Sequence, residues 1–233
     1  MMILALDTSG PTFGAAIVRE EDAVLGEIYI RSERHHSELL LPGIERLLQT
    51  ADLQLHDLDI LACTVGPGSF TGIRIGVATI KGLALAAGVP VIGVSSLKAL
   101  AFNTTGFPGL ICPMLDARRG QVYTGLYRSD APGNLKEVLP EGVRTAEEIA
   151  GIIAGEAIFI GSGAQVYGDV VRSRTTGTNL FAPPHLHRIS AAAVAVLARR
   201  QATAGETTDA LRLFPVYLRR SEAEENEMEN IDR

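Results

Sequence analysis

"VGPGSFTGIRIGVATIKGLALAAG", Val65 to Gly88, sets a glycine-rich turn between an apolar run and a helical pattern. A strand entering such a turn and a helix leaving it is the unit from which α/β lobes are built. The turn is no Walker loop, because no Gly-Lys-Ser/Thr closes it and Lys81 falls well inside the helix. It also lacks the dinucleotide-binding spacing. Two readings stay open. Gly68, Ser69 and Thr71 could hold an anion on the unpaired amides of a helix start, together with a nearby strand end. Alternatively, the glycines serve close packing. Each interior helical glycine costs ~1 kcal/mol relative to alanine. Gly72, Gly76 and Gly82 therefore suggest a backbone brought close, on a helix whose remaining positions include Ile73, Val77 and Ile80.

The elements around this stretch give the class. "LDILACTVG" before it is a continuous apolar run of strand length, as in a strand covered on both faces. "VPVIGVSS" after it reads as another strand, followed by a short helix from Leu97. Upstream, "ILALD", "FGAAIVRE" and "AVLGEIYIR" make an antiparallel meander. "SELLLPGIERLLQTADL" then places Leu40, Leu41, Ile44, Leu47 and Leu48 at helical spacing, with Pro42 expected to kink it. Strand, strand, strand, helix, strand, helix, strand describes one mixed-sheet lobe, residues 1–103. "NTTGFPG" (Asn103 to Gly109) reads as the joint to a second lobe, 104–220, whose last segment may return to the first. That lobe opens on "LICPMLDARRGQVYTGLYR", two strands around a turn. A helix at "TAEEIAGIIA", a strand "AIFIGSG", a helix from Ala164 to Arg174, a strand near "LFAP" and the helix "SAAAVAVLARRQATAG" follow. Ser190 is placed to cap this last helix and Gly205 to end it. Both lobes begin with an apolar strand, an Asp and a second strand, as in a duplication. Residues 221–233, with five glutamates and an aspartate, read as a flexible acidic tail.

Composition narrows the function classes. A chain of 233 residues, 46% hydrophobic and 21% charged, can bury a full core. No run is read as a membrane span and "MMILALD" is not read as a signal peptide. Cys63 and Cys112 lie in apolar runs, like buried free thiols, which suits a cytoplasmic location. The net charge of −6, with basic residues only in pairs such as Arg118-Arg119, Arg199-Arg200 and Arg219-Arg220, makes a principal nucleic-acid binder unattractive. Any RNA contact is expected to be minor and to run through Arg118, Arg119 or Arg219.

No catalytic constellation emerges. His35 and His36 adjoin Glu38, but positions four further on are Leu39 and Leu40, so the His-x-x-x-His geometry is missing. His185 and His187 fit one strand face or a surface loop. "SSLK" (Ser95 to Lys98) matches a nucleophile motif whose companions are absent, and Ser69 sits one place early for a nucleophile elbow. Asp7 is the best single carboxylate. It ends the first strand, where ligand turns sit, and equally suits an Asx cap shared with Ser9. Asp116 has the same two readings.

"ILALDTSG", "RHHSELLLP", "TVGPGSFTGIRIGVATIKGLA", "VIGVSSLKALA", "LDARRGQVYTGLY" and "PVYLRRSEAE" resemble, in this order, the bacterial TsaB (YeaZ) family. The resemblance runs from Ile3 to Glu224. It implies the two-lobed actin/hexokinase/Hsp70-like fold, each lobe a mixed sheet flanked by helices. It further implies a non-catalytic scaffold in the synthesis of tRNA threonylcarbamoyladenosine at position 37. Such a scaffold binds its paralogue TsaD and recruits the ATPase TsaE, forms a homodimer when alone, and meets tRNA only through the complex. ATP and metal would then belong to the partner subunits, with no cofactor and no metal in this chain. TsaD's metal helix carries His-x-x-x-His where this sequence has "HHSELLL". The implied partner surface is a bundle of the first-lobe helices, Ser37–Ala51 and Ser69–Ala87. Its residues would be Ser37, Leu40, Leu41, Ile44, Leu48, Ser69, Phe70, Gly72, Ile73, Gly76, Val77 and Ile80, the glycines making room for the partner helix. The rival expectations are a stand-alone ATP-dependent phosphotransferase of the same fold, using Asp7 and Asp116, and a metallopeptidase homologue.

Overall fold

The opening meander forms as β1 (Ile3–Asp7), β2 (Thr12–Arg19) and β3 (Ala23–Arg31). The structure is a computed structural model. It describes residues 1–20, 23–31, 36–131 and 133–219, apart from the side chains of residues 36 and 37. β4 (Ile60–Gly66) is buried at every position, as its unbroken apolar run requires, and pairs parallel with β1. β5 (Val91–Ser95) completes a sheet ordered β3-β2-β1-β4-β5. α1 (His36–Thr50) and α2 (Phe70–Ala87) cover one face, joined to it by Leu4, Leu6, Phe13, Ile17, Leu40, Ile44, Ile73, Val77 and Ile80. α1 runs through Pro42. The neighbouring Gly43 lies where a Cβ would stand 2.6 Å from the Phe13 ring, so the helix approaches the sheet closely there.

The second lobe repeats the plan. β6 (Leu110–Asp116), β7 (Gln121–Ala131), β8 (Asn134–Thr145), β9 (Ala157–Ile160) and β10 (Asn179–Phe181) pair in the order β10-β9-β6-β7-β8. In both sheets a three-strand meander precedes two strands that join in parallel. α4 (Ala146–Ile152) starts on a capping box between Thr145 and Glu148, worth ~1 kcal/mol. β8 is absent from the sequence reading. Its "NLKEVLPEGVRT" is an edge strand, largely solvated, and lacks clean apolar alternation. The single helix expected from Ala164 to Arg174 is two short ones, α5 (Ser162–Val166) and α6 (Gly168–Arg174), broken at Tyr167.

The described end of the chain lies on the first lobe, a return that the sequence leaves open. α7 (Ala191–Thr203), capped by Ser190 as predicted, packs against β1, β2, β4 and β5 of the first sheet. Its alanines permit this: a Cβ on Gly14 would sit 3.5 Å from that of Ala191. α7 and α3 (Ser96–Phe102) lie between the two sheets, and the central core joins Ile3, Val18 and Ile92 to Tyr127 and Ile160 of the second lobe. Residues 205–219 then continue along the first lobe, with a bridge between Val91 and Thr208 and the Val216 amide donating to Val65 O at 2.7 Å. The first lobe is therefore 1–102 plus the chain from α7 onward.

α2 alone among the described helices reaches the length and hydropathy of a membrane-crossing helix, with a mean hydropathy of 1.4 over its 18 residues. Its inward third is buried against the sheet, and Arg74 and Lys81 sit on it.

Candidate functional site

Two places carry the residues singled out above. The first is the junction where β1 ends and α2 begins. Asp7 is 3% exposed, and its Oδ1 accepts from Thr64 Oγ1 at 2.7 Å, Ser9 Oγ at 2.6 Å and Ser9 N at 3.1 Å. Of the two readings of Asp7, the geometry is that of the Asx cap. The turn after β1 is then tied to the glycine-rich loop: Ser69 N donates to Ser9 O at 2.7 Å, and Thr8 Oγ1 donates to Gly72 O at 2.7 Å. Ser69 Oγ caps α2 by accepting from Gly72 N at 3.2 Å. Of the amides considered for an anion, that of Ser69 thus has a partner within the chain. The expected close approach exists, but to a different neighbour. A Cβ on Gly72 would collide with the Thr8 carbonyl oxygen and one on Gly76 with Thr8 Oγ1. These glycines admit the chain's own β1 turn, not a partner helix.

The other chemistry candidates are structural. Asp116 Oδ1 accepts from the Arg118 amide at 2.8 Å and from the Tyr167 hydroxyl at 3.3 Å, again an Asx turn. Ser95 caps α3 by accepting from Lys98 N at 3.1 Å, while its hydroxyl donates across the lobes to Glu141, which also accepts from the Tyr127 hydroxyl of its own sheet. Burial beside Glu141 raises the Tyr127 pKa and keeps its phenol protonated. Burial pushes the Cys63 and Cys112 thiols up to about 12, so neither is a thiolate nucleophile at neutral pH. His185 and His187 do not share a strand face, since residues 184–186 form a 3-10 turn. His187 Nδ1 accepts from Gly161 N at 2.9 Å, and burial lowers its pKa. Among the described residues no three His, Cys, Asp or Glu side chains gather as metal ligands. His35 lies outside the described residues, as do Arg220 and the acidic tail.

The second place is the outer surface of α1 and α2. Leu40, Gly72, Ile73, Gly76, Val77 and Ile80 are all buried inside the chain, so in this conformation they offer nothing to a partner, and Ile44, also buried, forms only the floor of a groove. The outward side carries other residues. Leu41 is 54% exposed and Leu85 59%. Between the helices runs an apolar groove lined by Leu41, Ile44, Leu48, Leu53, Leu55 and Leu83, with Glu45 and Gln49 at its rim. The crest of α2 shows Thr71, Arg74, Ala78, Gly82 and Leu85, and a Cβ on Gly82 would meet nothing. The sequence reading places Leu41 and Leu48 here but misses Leu53, Leu55, Leu83 and Leu85. Setting Gly72 and Gly76 inward on the helix would have turned this side outward.

On its other flank α2 is held by the returning chain. Phe70 stacks on Tyr217, centroids 4.3 Å apart and planes 9° from parallel, and Arg74 Nε donates to the Tyr217 hydroxyl at 2.8 Å. Lys81 Nζ donates to Leu211 O at 3.3 Å and Leu213 O at 3.2 Å while sitting over the Phe214 ring. Leu218 packs on Leu97, Ala117 and Tyr123 between the lobes.

Known proteins of this architecture fit the whole chain. The family described as TsaD, tRNA N6-adenosine threonylcarbamoyltransferase, matches residues 24–227. The chain is 36% identical to the tRNA threonylcarbamoyladenosine biosynthesis protein TsaB of Bacillus subtilis (strain 168), over 96% of each. It superposes on YeaZ from Pseudomonas aeruginosa with a TM-score of 0.81 at 30% identity, covering 93% of this chain and 99% of that one. An inorganic polyphosphate/ATP-glucomannokinase from Arthrobacter sp. strain KM shares the fold alone, at a TM-score of 0.50 and 10% identity over 86% of this chain and 99% of that one. The protein belongs to the TsaB (YeaZ) family and has its two-lobed actin/hexokinase-like fold.

Proposed function

We propose that this TsaB-family chain serves the biosynthesis of tRNA threonylcarbamoyladenosine as a subunit without catalysis of its own. It docks on its paralogue TsaD through the outer face of α1 and α2, helps recruit TsaE, and uses the same face to pair with a second copy when alone. Transfer chemistry, ATP and metal then belong to the partners, and the work is done in the cytoplasm. The observation that carries this reading is the unpaired apolar side of two neighbouring helices, with Leu41, Leu48, Leu53, Leu55 and Leu83 around a groove. Exposed apolar surface of this kind, rimmed by polar side chains, marks interaction sites. The small residues Ala78 and Gly82 on the crest let a second helix lie close. The junction at Asp7 supports the non-catalytic half of the proposal, because the carboxylate most suited to chemistry is buried and already accepts three hydrogen bonds.

Reconstitution tests it. Purified TsaD and TsaE, with a threonylcarbamoyl-adenylate source and unmodified tRNA, are expected to transfer poorly alone and well once this chain is added. The chain alone is expected to transfer nothing. Transfer by the lone chain, or no stimulation of TsaD, would end the proposal.

A further inference from the structure

We infer that the turn between β6 and β7 is a phosphate contact for RNA, made by Arg118 and Arg119 and braced from the far end of the chain by Arg219. The inference rests on the reading that this chain works in a tRNA-modifying complex. It begins from a backbone outlier. Arg118 and Arg119 both have positive φ, 60° and 53°, and Gly120 follows at 76°. Two consecutive non-glycine residues in the left-handed region are unfavourable by about 1 kcal/mol or more each, and tight turns ordinarily use Asn-Gly there. Arginine at both positions brings no conformational ease, so its charge is the property to explain.

The turn is rigid and its two side chains are exposed. Ala117 N donates to Gln121 O at 2.9 Å and Gln121 N to Arg118 O at 3.0 Å. Below it, Asp116 N donates to Ser162 Oγ at 3.1 Å, and Asp116 Oδ1 holds the Arg118 amide. Arg219 reaches it from the end of the returning segment: its Nη1 donates to Ala117 O at 3.0 Å and its Nη2 to Gln121 Oε1. Three arginines from two distant parts of the sequence thus meet on one hairpin of a chain whose net charge is −6, with Asp116 the acid on the turn itself. An exposed arginine pair matches phosphate oxygens through planar donor forks, and the backbone that carries it is already held by the hairpin's hydrogen bonds. The contact carries no sequence information. It anchors the RNA backbone while partners read the target base.

The test uses the full chain in its complex with TsaD and TsaE. The Kd for an unmodified tRNA transcript is measured across a series of KCl concentrations, for the wild type and for Arg118→Asn/Arg119→Gly. That variant suits the turn's backbone, so its Tm should equal or exceed the wild type's, and weaker binding cannot be laid to unfolding. Affinity is expected to fall about tenfold at 0.1 M salt. The log–log salt slope should shallow by about 0.7–0.9 for each phosphate that is no longer neutralised. Arg118→Lys/Arg119→Lys should keep the slope. Unchanged affinity and slope, in a complex whose transfer the wild-type chain stimulates, would overturn the phosphate contact alone. A wild-type chain that never stimulates transfer would instead overturn the subunit reading.

Discussion

Gly72 and Gly82 lie on the same helix and do opposite things. A side chain at Gly72 has nowhere to go, because the Thr8 carbonyl fills the space. Gly72→Ala is expected to lower unfolding free energy in urea by about 3 kcal/mol, the upper range for overpacking a tight contact. Gly82 faces open space, so Gly82→Ala should raise it by about 1 kcal/mol through helix propensity alone. Equal effects would contradict the tight packing at Thr8. His187 gives a second test at this scale. Burial lowers its pKa in the folded chain below the ordinary 6.5, so the unfolded chain binds the proton more readily. Its contribution is therefore complete above pH 6.5 and lost as pH falls toward the folded-state pKa. Between pH 7.5 and 5.5 the wild type should lose more stability than His187→Gln, by urea unfolding at each pH; parallel losses would contradict the lowered pKa of the half-buried imidazole.

Among the elements, the returning segment after α7 ties the two lobes together. It lies along α2 through Phe70–Tyr217, Arg74–Tyr217 and Lys81, then crosses to the second lobe at Leu218 and Arg219. A double-mutant cycle on Phe70→Ala and Tyr217→Ala should return a coupling of about 1 kcal/mol, as stacked aromatic pairs do. A coupling near zero would mean that the strap is not held there. Elements with a strong period are legible in the sequence: β4 from its apolar run, α2 from its glycine-led turn and spacing, α7 from Ser190 and its alanines. Those that are not have no such period. β8 is a polar edge strand, and the break at Tyr167 divides a segment that looks helical throughout. The placement of α7 is illegible for a different reason. An alanine-rich helix fits either sheet, and only the tertiary approach at Gly14 selects the first.

At the scale of the molecule, the duplicated lobes enclose α3 and α7 between their sheets and leave α1 and α2 on the outside. That division explains why the site is half legible. The glycine-led turn and the leucines of α1 single out α1 and α2, but helical spacing does not say which face is turned inward. Ile73, Val77 and Ile80, expected at the surface, are buried, whereas Leu41, Leu83 and Leu85 remain for a partner. The central claim is that this outer face does the protein's work. Its most direct test is stimulation of threonylcarbamoyl transfer by Leu41→Asp/Leu85→Asp, both leucines being exposed, measured at rising concentrations of the variant with TsaD and TsaE fixed. The account predicts a variant of nearly wild-type Tm that stimulates less than a tenth as well at equal concentration; full stimulation along the wild-type concentration curve would contradict it.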